Sequence, residues 1–150
     1  MTTTVVGIDP GASGAIAILS PSSPPSVVDF PKTDEAILSL LTQNLTNRSK
    51  DCIVFLEDVH ALPRQSTVAG FTFGKNVGKA ELVALSYSEN VVRVSPQKWK
   101  KFYNLYGKDK KESIAIAKEL FPSLVDVLKA SKDGRAEALL IASFGNNTLS

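Results

Sequence analysis

The stretch VVGIDPGASGAIAIL, residues 5–19, joins two short apolar runs through a glycine-rich turn. Each run is about as long as a β-strand, and glycine in the turn adopts positive φ without steric cost. We therefore predict a tight hairpin with strands over residues 4–9 and 14–19. A single carboxylate, Asp9, ends the first strand, and a charge at the end of a buried segment needs a partner.

The rest of the chain alternates between strand and helix patterns. SPSSPP, residues 20–25, is predicted to be a loop and SVVDF a third strand, while CIVFLEDV and NVVRV are predicted to form the fourth and fifth strands. Helices are predicted from Asp34 to about Leu45 with Thr33 as N-cap, over 77–88, from Pro96 with Ser95 as N-cap, over 110–121 ending before Pro122, and from Asp133 to a stop at Gly145.

This order predicts an α/β domain over residues 1–150. Three adjacent strands favour an antiparallel meander, and strands separated by helices favour parallel additions to the same sheet. The result is a mixed five-stranded sheet flanked by helices.

Composition excludes several classes of protein. The 43% hydrophobic and 21% charged content is typical of a soluble globular chain, and no apolar run approaches the length of a membrane span. No basic segment precedes the first strand, so we expect no signal peptide. The single Cys52 excludes an internal disulfide, and with the single His60, interpreted as a loop residue, it disfavours a zinc site. We expect an intracellular protein without membrane contact.

Basic charge is concentrated in one segment. The net charge is only +2, but residues 93–111 carry seven basic residues and one acidic residue. Aromatic side chains are interleaved with them at Trp99, Phe102, Tyr103 and Tyr106. The pattern fits contact with phosphates and bases, and it equally fits a solvated helix whose aromatic side chains face the core.

Four carboxylates fall where they can converge. Asp9 and Glu57 each end an apolar strand, at the sheet edge where α/β proteins usually bind ligands. Asp133 and Glu137 lie one turn apart on the same face of the last helix. Such a cluster needs a cation, and carboxylate oxygens suit Mg²⁺ or Mn²⁺. Two ions about 4 Å apart support phosphodiester hydrolysis, so the pattern indicates metal-dependent cleavage of nucleic acid.

Each acid also has a simpler interpretation. Asp9 can shape a turn with Pro10 and Gly11, and Glu57 can merely close its strand. Asp133 can be an N-cap and Glu137 can pair with a neighbouring base. The joint pattern is what favours a metal site.

Five segments, in order, resemble the RuvC-like Holliday junction resolvases, most closely their phage and organellar branch. They are GIDPGASGAIAIL, FLEDVHALPRQSTVAGFTFGKNVG, VSPQKWKKFYNL, KKESIAIAKELFP and KDGRAEALLIASFG, and chiefly residues 20–50 lie outside them. The resemblance implies an RNase H-like fold and a homodimer in which each subunit nicks one strand of a four-way DNA junction. It also implies Mg²⁺ or Mn²⁺, two ions per active site, and no small-molecule cofactor.

The resemblance also assigns residues. Asp9 and Glu57 match metal ligands on the first and fourth strands, and Asp133 and Glu137 match the acidic pair of the last helix, so all four are predicted to be catalytic. In bacterial RuvC enzymes that pair is usually two aspartates closer together in sequence. Many relatives also have a histidine where this chain has Lys132.

Phe71 and Phe73 lie in a stretch predicted to be a loop, where family members place an aromatic wedge near the junction centre; stacking on a base or anchoring the loop are both possible roles. The helix over 77–88 matches the dimer surface, although core packing explains the same residues. The residues predicted to bind DNA are Phe71, Phe73, Lys75, Lys98, Lys100, Lys101, Lys108, Lys110, Lys111, Lys132 and Arg135.

Two other functions fit parts of the pattern. A glycine-rich β-turn-β with a leading aspartate also occurs in actin-like and sugar-kinase ATPases, but these need two lobes, and no second such turn follows in this sequence. A catalytically silent junction-binding or nucleic-acid-binding module on the same fold is the other alternative. The four carboxylates argue against it, because uncompensated acids repel phosphate unless metal fills the site.

Overall fold

A computed structural model of the chain describes residues 2–149. Its five strands form one sheet in the order β3-β2-β1-β4-β5. β1 pairs antiparallel with β2, and β2 with β3, whereas β4 is parallel to both β1 and β5. The predicted mixed sheet is therefore confirmed. The strands are β1 Thr4–Asp9, β2 Ala15–Ser20, β3 Ser23–Asp29, β4 Cys52–Glu57 and β5 Val91–Val94.

Helices connect the later strands and follow the last one. The Thr33 hydroxyl accepts a hydrogen bond from the Ala36 N–H, and the Ser95 hydroxyl accepts one from the Lys98 N–H, so both predicted N-caps are confirmed. The α-helices are α1 Asp34–Thr46, α2 Thr67–Tyr87, α3 Pro96–Phe102, α4 Lys110–Leu120 and α5 Asp133–Thr148, with short 3₁₀ helices at Pro122–Val127 and Ala130–Lys132.

The two faces of the sheet pack against different helices. Because side chains alternate along a strand, Val5 of β1 packs in a cluster with α5, whereas Val6 and Ile8 pack in a cluster with α1 and α2. α5 crosses β1 so closely that a Cβ on Gly7 would lie 2.4 Å from the Ala138 carbonyl oxygen. The alternation assigns Asp9, two residues after Gly7, to the α5 side of the sheet.

The structure corrects three predicted boundaries. α2 begins at Thr67, ten residues earlier than predicted, so the stretch that carries Phe71 and Phe73 is helical and not a loop. The glycines of this stretch suggested a loop, but the Ser66 hydroxyl caps the helix by accepting from the Ala69 N–H. The first turns of α2 are largely exposed, so its glycines do not interrupt any packing.

The other two corrections concern a strand and a helix end. β3 begins at Ser23, inside the predicted 20–25 loop, because an edge strand tolerates the prolines there. α5 continues past Gly145 to Thr148; this glycine is buried against Phe55, whose ring would lie 2.2 Å from an added Cβ. Within residues 2–149, no helix combines the length and apolar character needed to cross a membrane.

Candidate metal and nucleic-acid site

The carboxyl ends of β1 and β4 bring two acids side by side. The parallel register aligns Ile8 with Leu56, so the next pair along the strands is Asp9 and Glu57. Phe55 packs in the α5 cluster, and strand alternation therefore turns Glu57 toward α5 as well. The two residues are only 6% and 7% exposed. Two carboxylates that are buried side by side need a proton, a basic side chain or a cation to neutralise their charge.

α5 supplies the other two acids. Its first turn lies against the β1–β2 turn, where a Cβ on Gly134 would be 1.8 Å from the Ser13 carbonyl oxygen. This close approach, possible only without a side chain, places Asp133 and Glu137 beside Asp9. The structure therefore brings together all four acids that the sequence singled out.

Burial and mutual repulsion raise the pKa of these carboxyls. Desolvation, followed by the charge of Asp9, raises the pKa of Glu57 to about 7. Desolvation also raises the pKa of Asp9, although the Gly11 N–H, 2.9 Å from Asp9 Oδ1, stabilises its ionised form. Glu137 has a raised pKa because of burial and the adjacent Asp9, with which it shares a hydrogen bond. The pKa values of Asp9 and Glu137 are thus raised for the same main reason, the burial of two neighbouring carboxyls.

Trp99 completes the surroundings of Glu57. Its indole Nε1 donates a hydrogen bond of 2.7 Å to Glu57 Oε2, and its side chain is fully buried. Trp99 belongs to the basic, aromatic segment for which the sequence left two interpretations, contact with nucleic acid or packing in the core. The structure shows that the Trp99 side chain packs in the core. The contact of Trp99 with Glu57 was not predicted, because the spacing of apolar residues in a sequence does not indicate the direction of an indole N–H.

Lys110 is exposed, and it is paired with one of the four acids. Its ammonium group pairs with the Asp133 carboxylate, and this bond raises the pKa of Lys110. Asp133 is already helical, the N-cap position belongs to Lys132, and no side chain caps α5. The interpretation of Asp133 as an N-cap is therefore wrong, because its side chain is directed to Lys110 instead.

The carboxylate oxygens match the ligands that Mg²⁺ and Mn²⁺ prefer. In the part of the chain that is described, no three His, Cys, Asp or Glu side chains are already arranged around one point as metal ligands. The Asp133 carboxylate is paired with Lys110 instead, and Asp9 and Glu57 are buried side by side. The residues fit a divalent cation in chemical type and burial; their role as ligands stays a prediction.

Phe71 lies on the outer surface of α2, 69% exposed, with the ammonium nitrogen of Lys75 5.6 Å from its ring centroid. Phe73 is half-buried. Of the helix over 77–88, Ala80, Val83 and Ala84 belong to the core, while Leu82 and Leu85 are exposed. Core packing is confirmed for Ala80, Val83 and Ala84, whereas the dimer surface stays a prediction.

The predicted basic residues fall into different environments. Lys100 is half-buried, with its ammonium nitrogen 5.5 Å from the Trp99 ring centroid, and Lys101 sits similarly over Tyr106 at 5.4 Å. His60 is an exposed loop residue, as predicted. The fully exposed lysines of the segment are Lys98, Lys101, Lys108 and Lys111, besides the ion-paired Lys110.

Arg135 and Lys132 bind Asp29. The Arg135 guanidinium donates to Asp29 Oδ1 at 2.8 Å and to the Val127 carbonyl at 3.0 Å. Lys132 Nζ lies 3.2 Å from Asp29 Oδ2, and together the two bases lower the pKa of Asp29 to about 2. The structure gives Arg135 a role between β3 and α5, and its predicted contact with DNA requires the guanidinium to leave Asp29.

Comparison with known proteins identifies the fold. No protein-family model and no curated protein matches the sequence. Two solved structures of RuvC from Thermus thermophilus are similar in fold. One, in complex with a Holliday junction substrate, has a TM-score of 0.61 at 18% identity over 97% of this chain and 96% of that chain. The other has a TM-score of 0.56 at 16% identity over the same shares. The chain therefore has a RuvC-like, RNase H-like fold, as its sequence motifs predicted.

Proposed function

We propose that this protein is a metal-dependent endonuclease that resolves four-way DNA junctions, with residues 1–150 as one nuclease domain. The observation that carries the proposal is that the buried Asp9 and Glu57 lie beside Glu137 of α5, so that the charge of Asp9 raises the pKa of both glutamates. Carboxyls with strongly raised pKa values cluster at catalytic centres. The fold shared with a RuvC bound to a Holliday junction supports this choice of substrate.

In this proposal Asp9, Glu57, Asp133 and Glu137 would hold two Mg²⁺ or Mn²⁺ ions, which would supply an activated water molecule and stabilise the leaving oxygen of the phosphodiester. The residues of the chain set up the site: the Gly11 N–H and the Trp99 indole each fix one carboxylate oxygen. Lys110, which is paired with Asp133, would supply a positive charge for the scissile phosphate.

The DNA would extend from the acids over exposed lysine and aromatic side chains of the protein. Exposed lysines on α3, α4 and the segment between them offer contacts to phosphates. Phe71, with Lys75 over its ring, offers a stacking surface for an unpaired base. Paired symmetric nicks require two subunits, and the exposed Leu82 and Leu85 of α2 are our candidates for the dimer contact.

The test uses a synthetic four-way junction with a series of Mg²⁺ and Mn²⁺ concentrations. We expect symmetric paired nicks that disappear in EDTA and in Asp9→Asn, and sedimentation as a dimer. Binding without nicks at any metal concentration would instead favour the silent junction-binding module. ATP hydrolysis that is insensitive to DNA would favour the kinase-like alternative.

A further inference from the structure

A cleft of ≈ 220 Å³ opens at the same sheet edge as the acids, but on the other face of the sheet. Its walls are the turn at 10–12, the segment 30–32 after β3, Ile37 of α1, and Asn76 and Lys79 of α2. Phe30 and Ile37 belong to the core cluster on the α1 and α2 side, whereas Asp9 faces α5. The turn at 10–12 directly follows Asp9, so the cleft and the acid cluster share one wall.

The cleft combines an apolar surface with basic and amide groups. Phe30, Pro31 and Ile37 supply the apolar part. Lys79 is paired with Asp34 at 2.7 Å. By contrast, among residues 2–149 neither the Lys32 ammonium nor the Asn76 amide has a side-chain hydrogen bond or an ion pair. Two polar groups that line a cleft and remain free are available to a ligand.

Size and charge narrow the choice of ligand. Pockets for whole small molecules usually enclose about 300–1,000 Å³, so this cleft suits a smaller unit. A simple anion would use Lys32 but not the apolar wall, while an apolar ligand would leave Lys32 and Asn76 without partners. A nucleotide can use the apolar wall, the Lys32 ammonium group and the Asn76 amide together. Its base can lie against Phe30, its phosphate can pair with Lys32, and its base edge can form a hydrogen bond with the amide.

We propose that this cleft binds the nucleotide next to the scissile phosphate in the strand that is cut. The inference rests on the proposed nuclease function and deepens it, because it names the groups that hold the substrate strand beside Asp9. Lys32 binds the neighbouring phosphate, Phe30 supports the base, and Asn76 contacts the base edge. The positive rim also offsets the repulsion between the acids and DNA.

The first experiment needs neither cleavage nor metal. Amide signals of the metal-free protein are followed by two-dimensional NMR during titration with thymidine 5′-monophosphate, and separately with inorganic phosphate. We expect saturable shifts at Gly11, Ala12, Lys32 and Asn76 with the nucleotide, and weaker binding of phosphate alone. Lys32→Ala should weaken nucleotide binding roughly tenfold, the usual cost of one charge-assisted contact. Lys50→Ala, which removes a lysine at the opposite end of the sheet, should leave it unchanged.

A second experiment measures junction cleavage by Lys32→Ala and Asn76→Ala. We expect roughly tenfold lower kcat/KM for each, with unchanged affinity for Mn²⁺. Nucleotide shifts confined to residues outside the cleft, or normal cleavage by both variants, would overturn the inference. If the wild-type protein cuts no junction but thymidine monophosphate still shifts the cleft residues, the cleft assignment stands and the nuclease proposal fails.

Discussion

The indole Nε1 of Trp99 donates a hydrogen bond to Oε2 of Glu57 across 2.7 Å, with both side chains buried. The bond favours the ionised carboxylate and opposes the burial that raises its pKa. It also fixes one oxygen of Glu57, which leaves the other directed to the acid cluster. Trp99 therefore orients a proposed metal ligand without contacting the substrate.

We predict that Trp99→Phe weakens Mn²⁺ binding roughly 10- to 100-fold, the usual effect of removing a group that orients a metal ligand. It should also move the acid limb of the pH–activity profile to higher pH, because Glu57 ionises less readily. Calorimetric titration with Mn²⁺ and a pH series of cleavage rates measure these effects. Tyr103→Phe, which removes a hydroxyl elsewhere in the core, should change neither the Mn²⁺ affinity nor the pH profile. Equal effects of the two variants would mean that Trp99 contributes only packing.

Asp9→Asn and Glu57→Gln should each abolish junction cleavage while junction binding survives. In the proposed function the acids bind cations, whereas separate basic and aromatic side chains bind DNA. Junction binding in EDTA should therefore even improve as negative charge is removed. Nicking assays and gel-shift titrations measure the two properties separately. Glu119→Gln, which changes an exposed acid of α4, is the matched control; near-normal nicking by Asp9→Asn would reject the metal site.

Without metal, the protein should lose stability as the pH rises. Folding raises the pKa of Glu57 from 4.5 to about 7, so the folded state binds the proton more tightly than the unfolded state. The contribution, about 3 kcal/mol, is therefore complete below pH 4.5 and lost as the pH rises through 7. Urea unfolding in EDTA at pH 5 and pH 8.5 measures it. Mg²⁺ should restore stability at pH 8.5, and a metal-free protein more stable at pH 8.5 than at pH 5 would contradict the assignment.

Substitutions of Lys98 and Lys108 should affect DNA binding, whereas substitution of Lys110 should affect cleavage. Lys98→Ala and Lys108→Ala should each reduce the slope of log affinity against log salt by roughly 0.9, the value for one lost phosphate contact. Lys110→Ala should mainly lower the cleavage rate, because the Lys110 ammonium group is paired with Asp133, one of the proposed metal ligands. Fluorescence anisotropy over a salt series and single-turnover cleavage distinguish the two. An unchanged slope for Lys98→Ala and Lys108→Ala would mean that they do not contact DNA.

Gly134→Ala should destabilise the fold and disrupt the site together. Its Cβ would meet the Ser13 carbonyl oxygen at 1.8 Å, and relief of that clash moves α5 away from the β1–β2 turn. We expect a loss of about 2 kcal/mol in the free energy of unfolding, with much weaker Mn²⁺ binding. Gly74→Ala, where an added Cβ meets nothing within 4 Å, should instead stabilise by about 0.5–1 kcal/mol. Normal Mn²⁺ affinity in Gly134→Ala would show that this contact does not position the acids.

The sheet and the four acids could be predicted from sequence because strand ends and helical spacing are local signals. Asp9 and Glu57 end apolar runs, and Asp133 and Glu137 are four residues apart. The partners of these acids could not be predicted, since the Trp99 and Lys110 contacts depend on how α3, α4 and α5 pack. The start of α2 was missed for a different reason: glycine lowers helix propensity, and only the Ser66 cap and the exposed position of the helix explain why it forms.

α5 lies in the core and is the last helix among the described residues. Its contact with β1 through Gly7 and Ala138 joins residues far apart in the chain. While the protein emerges from the ribosome, the first hairpin can form early, but Asp9 stays apart from Glu137 until α5 has left the exit tunnel. Assembly of the acid cluster is thus tied to the packing of α5, and a nascent or truncated chain without α5 would carry the lysines of α3 and α4 that are proposed to bind DNA but not the complete set of acids that is proposed to cut it.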